Sequence, residues 1–258
     1  MLAMLIVEDV SGFSSTDILT DHTFQTGPNF RATILKYILQ LKRQVPIQYI
    51  LGKAYFYNNV YEVNECTLIP RPETEELVQI VIGYTQGKPP LKILDIGTGS
   101  GCIAISLALD RPQDSVDALD VSLSAIKVAE RNVRRLGAKV NFIHEDIFTC
   151  QSHRQYDVIV SNPPYVREAE KQQMQANVLQ HEPAKALFVP DNDPLIYYDR
   201  IVAFARTALQ NTGAVFFEVN EALAHEVAGI MAEGGLQGIE IAKDLNQKDR
   251  FVYGFRNA

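Results

Sequence analysis

From residue 91 onward, short apolar runs alternate with longer segments of helical periodicity, and this alternation constrains the fold more than any other feature. The runs predicted to be strands are 91–96, 115–120, 139–143, 156–161 and 214–219. The segments predicted to be helices are 101–109, 122–136, 194–209 and 221–233. Almost wholly apolar strands are typical of a parallel sheet whose two faces are both covered by helices. The pattern therefore predicts an α/β protein with a doubly wound parallel sheet.

Two further apolar segments, near 238–242 and 250–256, are separated by the short polar loop DLNQKD. Strands joined by so short a loop are antiparallel neighbours, because a parallel connection needs a crossover of a dozen or more residues. The two segments are predicted to form a hairpin at the far edge of the sheet, which brings it to seven strands.

Residues 30–44 place Ile34, Ile38 and Leu41 on one helical face, at positions i, i+4 and i+7. This spacing predicts an amphipathic helix. Pro46 sets its end, because proline lacks the N–H that a helix interior requires.

Residues 54–63 carry aromatic and β-branched side chains on both sides of Asn58 and Asn59. Asparagine tolerates the positive φ of a two-residue turn, so this segment is predicted to be a β-hairpin. Residues 1–29 are weakly patterned, and their Ser, Thr and Asp content indicates a loosely held start.

The 258 residues carry a formal net charge of −7, and 47% of them are hydrophobic. Proteins that hold nucleic acid by neutralising its phosphates are usually basic, so stable nucleic-acid binding is disfavoured. No apolar run approaches the 18 residues of a membrane-spanning helix. We expect a cytoplasmic protein that works as a monomer.

The cysteines and histidines do not show the spacing of metal ligands, so no metal site is expected. The three widely separated cysteines are Cys66, Cys102 and Cys150. The five histidines are His22, His144, His153, His181 and His225. Without paired cysteines, the thiols are predicted to be reduced, as in a cytosolic protein.

The segment DIGTGSG joins the first strand of the alternating region to its first helix. Its glycines let the backbone turn tightly and approach a ligand closely, at the strand ends where doubly wound sheets bind ligands. Taken alone, the segment also fits a plain strand-to-helix turn. The spacing GxGxG differs from the GxGxxG of dinucleotide-binding proteins, and no phosphate-loop lysine follows. The residues predicted to line the ligand here are Asp95, Gly97, Thr98, Gly99, Ser100 and Gly101.

Three carboxylates lie at the ends of successive predicted strands: Asp95, Asp120 and Asp146. Asp95 suits an ammonium group, Asp120 a ribose diol and Asp146 an adenine amino group. Like charges would repel the phosphates of a dinucleotide at this place. The set favours a cationic, phosphate-free ligand, and S-adenosylmethionine is the predicted cofactor.

The strand 156–161 runs directly into Asn162-Pro163-Pro164-Tyr165. The two prolines stiffen the loop and remove two N–H donors. The side-chain oxygen of Asn162 and the carbonyl of Pro163 are then free to accept from one NH2 group, while Tyr165 offers a flat face for stacking. Acceptors oriented in this way help a weakly nucleophilic amide nitrogen to attack a methyl group. A rigid turn after a core strand is the structural alternative.

Two smaller features leave alternatives open. Lys127, Arg131 and Arg135 recur at i, i+4 and i+8, which fits either a solvated helix face or a surface for RNA or an acidic partner. The polar stretch 166–181 fits either a flap over the substrate or an exposed helix.

With these motifs and four further stretches, the sequence resembles the release factor glutamine N5-methyltransferases over residues 46–256. The stretches are PIQYILG (46–52), LIPRPETEELV (68–78), EPAKALF (182–188) and KDRFVYG (248–254). The resemblance implies methyl transfer from S-adenosylmethionine to the glutamine of the Gly-Gly-Gln motif in peptide-chain release factors. It also implies a class I methyltransferase fold with a seven-stranded sheet.

By position in the matching motifs, the resemblance implies which residues contact the cofactor and which contact the substrate. The cofactor contacts are Gly97 to Gly101, Asp120 with its neighbour Val121, Asp146 with Ile147, and Asn162. The residues for the substrate amide are Asn162, Pro163, Pro164 and Tyr165, with Arg71, Glu73 and Thr74 lining or bracing the pocket. The implied domains are a shortened helical module at 1–52, a β-hairpin linker at 53–68 and a catalytic domain at 69–258.

The Asn-Pro-Pro-Tyr motif by itself suits any planar amine, so other functions remain as alternatives. One is methylation of a ribosomal protein glutamine, and another is methylation of adenine N6. The acidic balance and the absence of a large DNA-reading module argue against adenine. A cofactor-binding scaffold without activity is the alternative from a different class, and the intact Asn162 and glycine turn argue against it.

Overall fold

The computed structural model describes residues 2–20, 26–151 and 154–256. The helices are α1 Leu2–Ser11, α2 Ser15–Thr20, α3 Phe30–Lys42, α4 Ile47–Leu51, α5 Pro72–Thr85, α6 Cys102–Asp110, α7 Leu123–Leu136, α8 Ala176–His181, α9 Ile196–Ala208 and α10 Ala224–Glu233. The strands are β1 Lys53–Phe56, β2 Asn59–Glu62, β3 Lys92–Ile96, β4 Ser115–Asp120, β5 Val140–His144, β6 Tyr156–Ser161, β7 Val166–Arg167, β8 Phe188–Val189, β9 Leu209–Glu218, β10 Gln237–Lys243 and β11 Asp249–Phe255. Short 3-10 helices cover Glu168–Gln173, Ala184–Ala186 and Glu221–Leu223.

Seven strands form the central sheet, in the order β10-β11-β9-β6-β3-β4-β5. The five strands from β9 to β5 are parallel, and β10 and β11 form an antiparallel hairpin at one edge. The α/β fold, the doubly wound sheet and the edge hairpin predicted from the sequence are confirmed. The first strand of the alternating region, β3, lies in the middle of the parallel part, next to β6.

Four of the parallel strands, β3, β4, β6 and β9, are buried on both faces, as their sequences predict, whereas β5 at the sheet edge has no buried residue. In β9, Phe217 packs against Tyr198 of α9 with ring centroids 5.3 Å apart. Its neighbour Phe216 faces the other side and lies 5.3 Å from the ring of Tyr84 in α5. Successive side chains of a strand point to opposite faces, so one strand supplies both core layers. Helices α9 and α10 cover one face, and α5, α6 and α7 cover the other.

Helix α1 is held more firmly than the weak pattern of its sequence indicates, so the expected loosely held start is wrong for α1. Ile6 of α1 is buried. Asp9 accepts hydrogen bonds from Lys53 Nζ at 2.6 Å and from the Tyr37 hydroxyl at 3.0 Å, tying α1 to β1 and α3. These long-range contacts, rather than local periodicity, hold the segment.

The amphipathic helix predicted over 30–44 is present as α3, which ends at Lys42 ahead of Pro46. Its apolar face is only partly covered, because Ile34 and Leu41 are half-buried and Ile38 is 39% exposed. Leu35 is 61% exposed and Leu39 60% exposed. The helix therefore presents an open apolar surface on the N-terminal part of the molecule.

The predicted hairpin is present as β1 and β2, but its turn is shifted by one residue. Phe56 pairs with Asn59, so the two turn residues are Tyr57 and Asn58. Both have positive φ, 43° and 62°. The prediction of Asn58 and Asn59 is therefore wrong: Asn59 instead begins β2, where its side-chain amide donates to the Tyr57 carbonyl at 3.0 Å.

The basic stripe on α7 is used within the molecule to hold this hairpin. Arg131 Nε donates to Glu62 Oε1 at 2.8 Å, and Arg135 donates to the Val60 carbonyl. Asn132 accepts from the Glu62 N–H at 2.6 Å. Two of the three stripe residues thus anchor the hairpin. All three stripe residues are exposed, as the alternative of a solvated helix face predicts, and a role towards a partner stays a prediction.

The stretch 166–181 is not one exposed helix, as one alternative predicted. It consists of β7, a 3-10 helix and α8. β7 pairs with β8 in parallel, and Arg167 pairs with Glu170 at 2.6 Å. Only residues 176–181 are α-helical, and a flap role for the stretch stays a prediction.

Candidate active site

The glycine turn and the Asn-Pro-Pro-Tyr corner leave neighbouring strands at the same level of the sheet. Ile96 at the end of β3 is in register with Ser161 at the end of β6. The Ser161 hydroxyl donates to the Ile96 carbonyl at 2.7 Å. The residues that follow, Gly97 and Asn162, therefore begin side by side at the carboxyl edge of the sheet, where doubly wound folds bind ligands.

The glycine turn is held by backbone hydrogen bonds and needs glycine for steric reasons. The N–H groups of Gly97 and Thr98 donate to the Leu119 carbonyl at 2.8 and 3.1 Å. Gly101 has φ +83°, and a Cβ there would lie 2.9 Å from Ile105 Cδ1. Ser100 is buried, and its carbonyl accepts from Asn132 at 2.9 Å. The turn thus packs closely onto α6 and α7 while its backbone faces the sheet edge.

Asp95 is fully buried beneath this turn. Its Oδ2 accepts from the Thr98 hydroxyl at 2.6 Å and from the Ala104 N–H at 3.2 Å, whereas Oδ1 is buried without a hydrogen-bond partner. Burial raises the pKa of the Asp95 carboxyl to about 7, although the two hydrogen bonds oppose the rise. A buried acceptor without a partner is rare and destabilising. This oxygen fits a cationic donor such as the ammonium group of an amino acid.

Asp120 joins the end of β4 to the glycine turn. Its Oδ2 accepts from the Gly99 N–H and its Oδ1 from the Ser122 N–H, both at 2.8 Å. Burial raises the pKa of Asp120, and these backbone hydrogen bonds oppose the rise. Each carboxylate oxygen has a second lone pair, so the group is able to accept from a diol as well. Val121 follows with its side chain 54% exposed.

Asp146 and Ile147 follow β5, next to the end of β4. Asp146 Oδ1 accepts from the Phe148 N–H at 2.9 Å, which shapes the turn after the strand. The Ile147 side chain is 6% exposed and packs into the core on the α9 face. The structure therefore gathers the three predicted carboxylates along one edge, and their contacts with a cofactor stay predictions.

Asn162 is oriented by a residue from a distant part of the chain. Its Nδ2 donates to the Thr74 hydroxyl at 3.0 Å. In the part of the chain that the structure describes, neither Asn162 Oδ1 nor the Pro163 carbonyl takes part in a hydrogen bond. Two acceptors of one corner are thus left without a partner, and their contact with a planar NH2 group stays a prediction.

Tyr165 is held by Glu218, a residue that the sequence analysis did not single out. The Tyr165 hydroxyl donates to Glu218 Oε1 at 3.0 Å, and the Thr74 hydroxyl donates to Glu218 Oε2 at 2.6 Å. Burial raises the pKa of Glu218, and the hydrogen bonds from Thr74 and Tyr165 oppose the rise. Burial also raises the pKa of Tyr165, whose hydroxyl keeps its proton. The Tyr165 hydroxyl is engaged and its ring packs against the core on the α9 face, and stacking of the ring on a substrate stays a prediction.

The signal for Glu218 in the sequence is a single acid at the carboxyl end of the apolar run AVFFEV. A fully buried carboxylate in a core strand requires partners. Here the partners come from α5 and from the loop after β6. Sequence reasoning missed them because neither segment is near β9 along the chain.

The predicted pocket residues at the start of α5, Arg71, Glu73 and Thr74, have different surroundings. Arg71 pairs with Glu182 at 2.7 Å, and Glu182 also accepts from the Ile69 N–H at 3.1 Å. The pair ties the PRPETE loop to the EPAKALF stretch. Glu73 is half-buried in the first turn of α5, and Thr74 is 3% exposed. Thr74 therefore braces Asn162 from behind, and substrate contacts by Arg71 and Glu73 stay predictions.

Within residues 2–20, 26–151 and 154–256, no group of three or more His, Cys, Asp or Glu side chains is arranged to hold a metal ion. His22 and His153, considered in the sequence analysis, lie outside these residues. None of the helices in the same ranges has the length and apolar character needed to cross a membrane.

Known proteins that are similar to this chain bear on its family and its fold. The family model described as "Methyltransferase small domain" matches residues 79–190. The methyltransferase of Pyrococcus furiosus, a solved structure, covers 90% of this chain and is itself covered completely, with a TM-score of 0.56 and 17% identity. At that identity the likeness concerns the fold alone.

Two curated relatives are more similar in sequence. The release factor glutamine methyltransferase of Flavobacterium psychrophilum is 46% identical over 219 residues, covering 83% of this chain and 77% of the relative. That of Bacteroides thetaiotaomicron is 40% identical over 253 residues, covering 97% and 90%. Identity at this level, over most of both chains, shows that this protein belongs to the release factor glutamine methyltransferase family.

Proposed function

We propose that the protein transfers a methyl group from S-adenosylmethionine to the side-chain amide nitrogen of the glutamine in the Gly-Gly-Gln motif of peptide-chain release factors. One observation carries this proposal. The Asn162 corner and the glycine turn lie side by side, joined by the hydrogen bond from Ser161 to Ile96. A methyl donor seated on the turn and an amide held at the corner would then be adjacent.

The chain's own residues fit the cofactor by charge and by space. S-adenosylmethionine supplies an electrophilic methyl group when bound. Asp95 would accept from the ammonium group through its unpartnered Oδ1, and Asp120 from the ribose hydroxyls. A Cβ placed on Gly97 or Gly99 would meet nothing within 4 Å, which leaves open space over the turn. Val121, Asp146 and Ile147 would contact the adenine end.

The corner would orient a poor nucleophile. The lone pair of an amide nitrogen is delocalised into its carbonyl, so orientation and preorganised acceptors matter more than a strong base. Asn162 Oδ1 and the Pro163 carbonyl would accept from the two amide protons. The ring of Tyr165 would hold the amide plane, with Pro164 keeping the loop rigid.

Docking of the protein substrate would use the N-terminal module. A cleft of about 680 Å³ lies between residues 2–48 and residues 175–177. It is lined by Leu2, Leu41, Val45, Gln48, Gln175 and Asn177. The domain division at 1–52, 53–68 and 69–258 is part of this proposal, as is the assignment of the module to release factor binding. A monomeric state and a cytoplasmic location stay predictions.

The direct test is transfer of a labelled methyl group to purified release factor. Incorporation is expected into the wild-type factor and not into a factor whose Gly-Gly-Gln glutamine is replaced by alanine. Unmethylated DNA and a ribosomal protein mixture serve as competing substrates. Label in either of these, with none in the release factor, would overturn the proposal.

A further inference from the structure

We propose that Glu218 is a positioning residue of the methyl transfer. Through the Thr74 hydroxyl, its charged carboxylate determines which end of the Asn162 side-chain amide faces the substrate. This inference rests on the proposed function and adds a residue to it. Glu218 belongs to β9, on the opposite side of β6 from the glycine turn, and it touches neither the turn nor the available oxygen of Asn162.

Counting protons gives the direction of each hydrogen bond. An ionised carboxylate accepts and never donates, so while Glu218 is ionised the Thr74 hydroxyl, 2.6 Å from Glu218 Oε2, gives its only proton to Glu218. Its oxygen is then an acceptor towards Asn162, 3.0 Å away. Only the NH2 end of the Asn162 amide has protons to donate. The Oδ1 end therefore faces away from Thr74, where it serves as an acceptor for a substrate NH2.

The same carboxylate also holds the aromatic part of the corner. Its other oxygen, Oε1, accepts from the Tyr165 hydroxyl at 3.0 Å. Tyr198 of α9 fixes the backbone at this place by donating to the Glu218 carbonyl at 3.1 Å. One buried side chain thus holds both Thr74, which orients the amide, and the Tyr165 ring.

Several groups surround Glu218 and influence its charge. They are Thr74 and Glu73 on α5, Tyr165 after β6, Tyr198 on α9, and Arg250 on β11. The guanidinium of Arg250 donates to the Val219 carbonyl at 3.1 Å and to Asp244 Oδ2 at 3.3 Å. Its positive charge favours the ionised form of Glu218, whereas burial and Glu73 disfavour it.

Protonation of Glu218 would remove the constraint. A neutral carboxyl is able to donate to Thr74, and the Thr74 proton would then be free to point at Asn162. The Asn162 amide would turn over and present NH2 to the NH2 of the substrate, which places two donors against each other. The rate is therefore expected to fall as the pH drops through the raised pKa of Glu218, which lies above its ordinary 4.5.

The first test compares two substitutions of Thr74. Thr74→Val keeps the shape and removes the hydroxyl, and we expect kcat to fall about 10- to 100-fold, as for a misplaced reacting group. KM for the cofactor should change less than about threefold. Thr74→Ser keeps the hydroxyl and should restore most of the rate. Equal rates for the two variants would overturn the proposal.

The second test is the pH profile of kcat for Glu218→Gln. It is measured at saturating cofactor, so that titration of Asp95 does not change the occupancy of the cofactor site. Glutamine does not ionise, and its NH2 end must face one of the two hydroxyls. The variant should be at least about tenfold slower, and its kcat should lack the fall at acid pH that wild type shows. An acid fall unchanged from wild type would contradict the role.

A third measurement does not depend on activity. In protein labelled with 15N, the side-chain NH2 signals of Asn162, assigned by their loss in Asn162→Ala, are recorded without substrate. Slow proton exchange in wild type and faster exchange in Thr74→Val are expected. No difference would overturn the proposal even if methyl transfer to the release factor fails, and a difference would support it in that case also.

Discussion

The side-chain nitrogen of Asn162 lies 3.0 Å from the hydroxyl oxygen of Thr74, although 88 residues separate the two along the chain. Thr74 belongs to the PRPETE segment and Asn162 to the Asn-Pro-Pro-Tyr motif. The contact therefore joins the two motifs in one site. The helix that begins at Pro72 stands behind the corner and holds its amide, so the corner is rigid on both sides.

Replacement of Asn162 by alanine should lower kcat about 100-fold or more, in line with loss of one preorganised contact. Cofactor affinity should largely survive, because the glycine turn and its carboxylates remain. Steady-state methyl transfer and calorimetric titration measure the two effects. Asn246→Ala, on the exposed turn between β10 and β11, is the matched control. If Asn162→Ala kept the wild-type rate, the acceptor role of this residue would be refuted.

Replacement of Asp120 by alanine should weaken cofactor binding at least about tenfold, a difference of about 1.4 kcal/mol. The carboxylate holds the Gly99 and Ser122 N–H groups, so its loss loosens the turn as well as removing the ribose acceptor. Calorimetry with S-adenosylmethionine measures the affinity. Asp110→Ala, an exposed acid at the end of α6 away from the glycine turn, is the control. An unchanged affinity would contradict the ribose assignment.

Replacement of Asp95 by asparagine should stabilise the cofactor-free protein and weaken cofactor binding. The carboxyl takes up its proton near pH 7 in the folded chain but near its ordinary 3.8 when unfolded. Between these values the folded state binds more protons, so wild-type stability falls as pH rises through this window. Asparagine does not ionise, so the variant should lack that fall.

At pH 8, removal of the buried charge should add about 1–3 kcal/mol to the free energy of unfolding of Asp95→Asn. The asparagine oxygen still accepts from Thr98 and Ala104, while its NH2 group takes the place of the unpartnered Oδ1. Urea unfolding at pH 5 and pH 8 provides the measurement, and the advantage of the variant should shrink at the lower pH. A variant equally destabilised at both pH values would show that Asp95 serves the fold rather than the ligand.

Replacement of Arg71 by alanine should lower the free energy of unfolding by about 2–3 kcal/mol, because it leaves a buried carboxylate without its cation. The side chain of Glu182 is only 1% exposed, and the Ile69 N–H would be its remaining partner. Adding Glu182→Gln to Arg71→Ala should recover part of the loss, since glutamine still accepts from Ile69. Urea unfolding measures the free energy of unfolding of both variants. If Glu182→Gln recovered none of the loss caused by Arg71→Ala, a coupling between the two residues would be ruled out.

Much of the fold could be predicted from the sequence because apolar strands and amphipathic helices have local periods. The antiparallel pairing of β10 and β11 followed from a loop too short for a crossover. The prediction placed the hairpin turn one residue too late along the chain. Either Tyr57 or Asn59 can share the two-residue turn with Asn58, and only the register of β1 against β2 decides between them. The order of α1 was missed because its support comes from Lys53 and Tyr37, far along the chain.

By itself, the sequence determined the α/β class, the glycine turn and the Asn-Pro-Pro-Tyr corner, since each depends on residues within a few positions of one another. Only the tertiary structure decided that Glu218 lies behind this corner, and that Thr74 stands between Glu218 and Asn162. The hydrogen-bond partners of a buried carboxylate come from elements that the packed sheet brings next to it. These elements lie far apart in the sequence, so no local pattern predicts their contact. The chemistry of the corner is therefore local in sequence, whereas its orientation is a property of the folded chain.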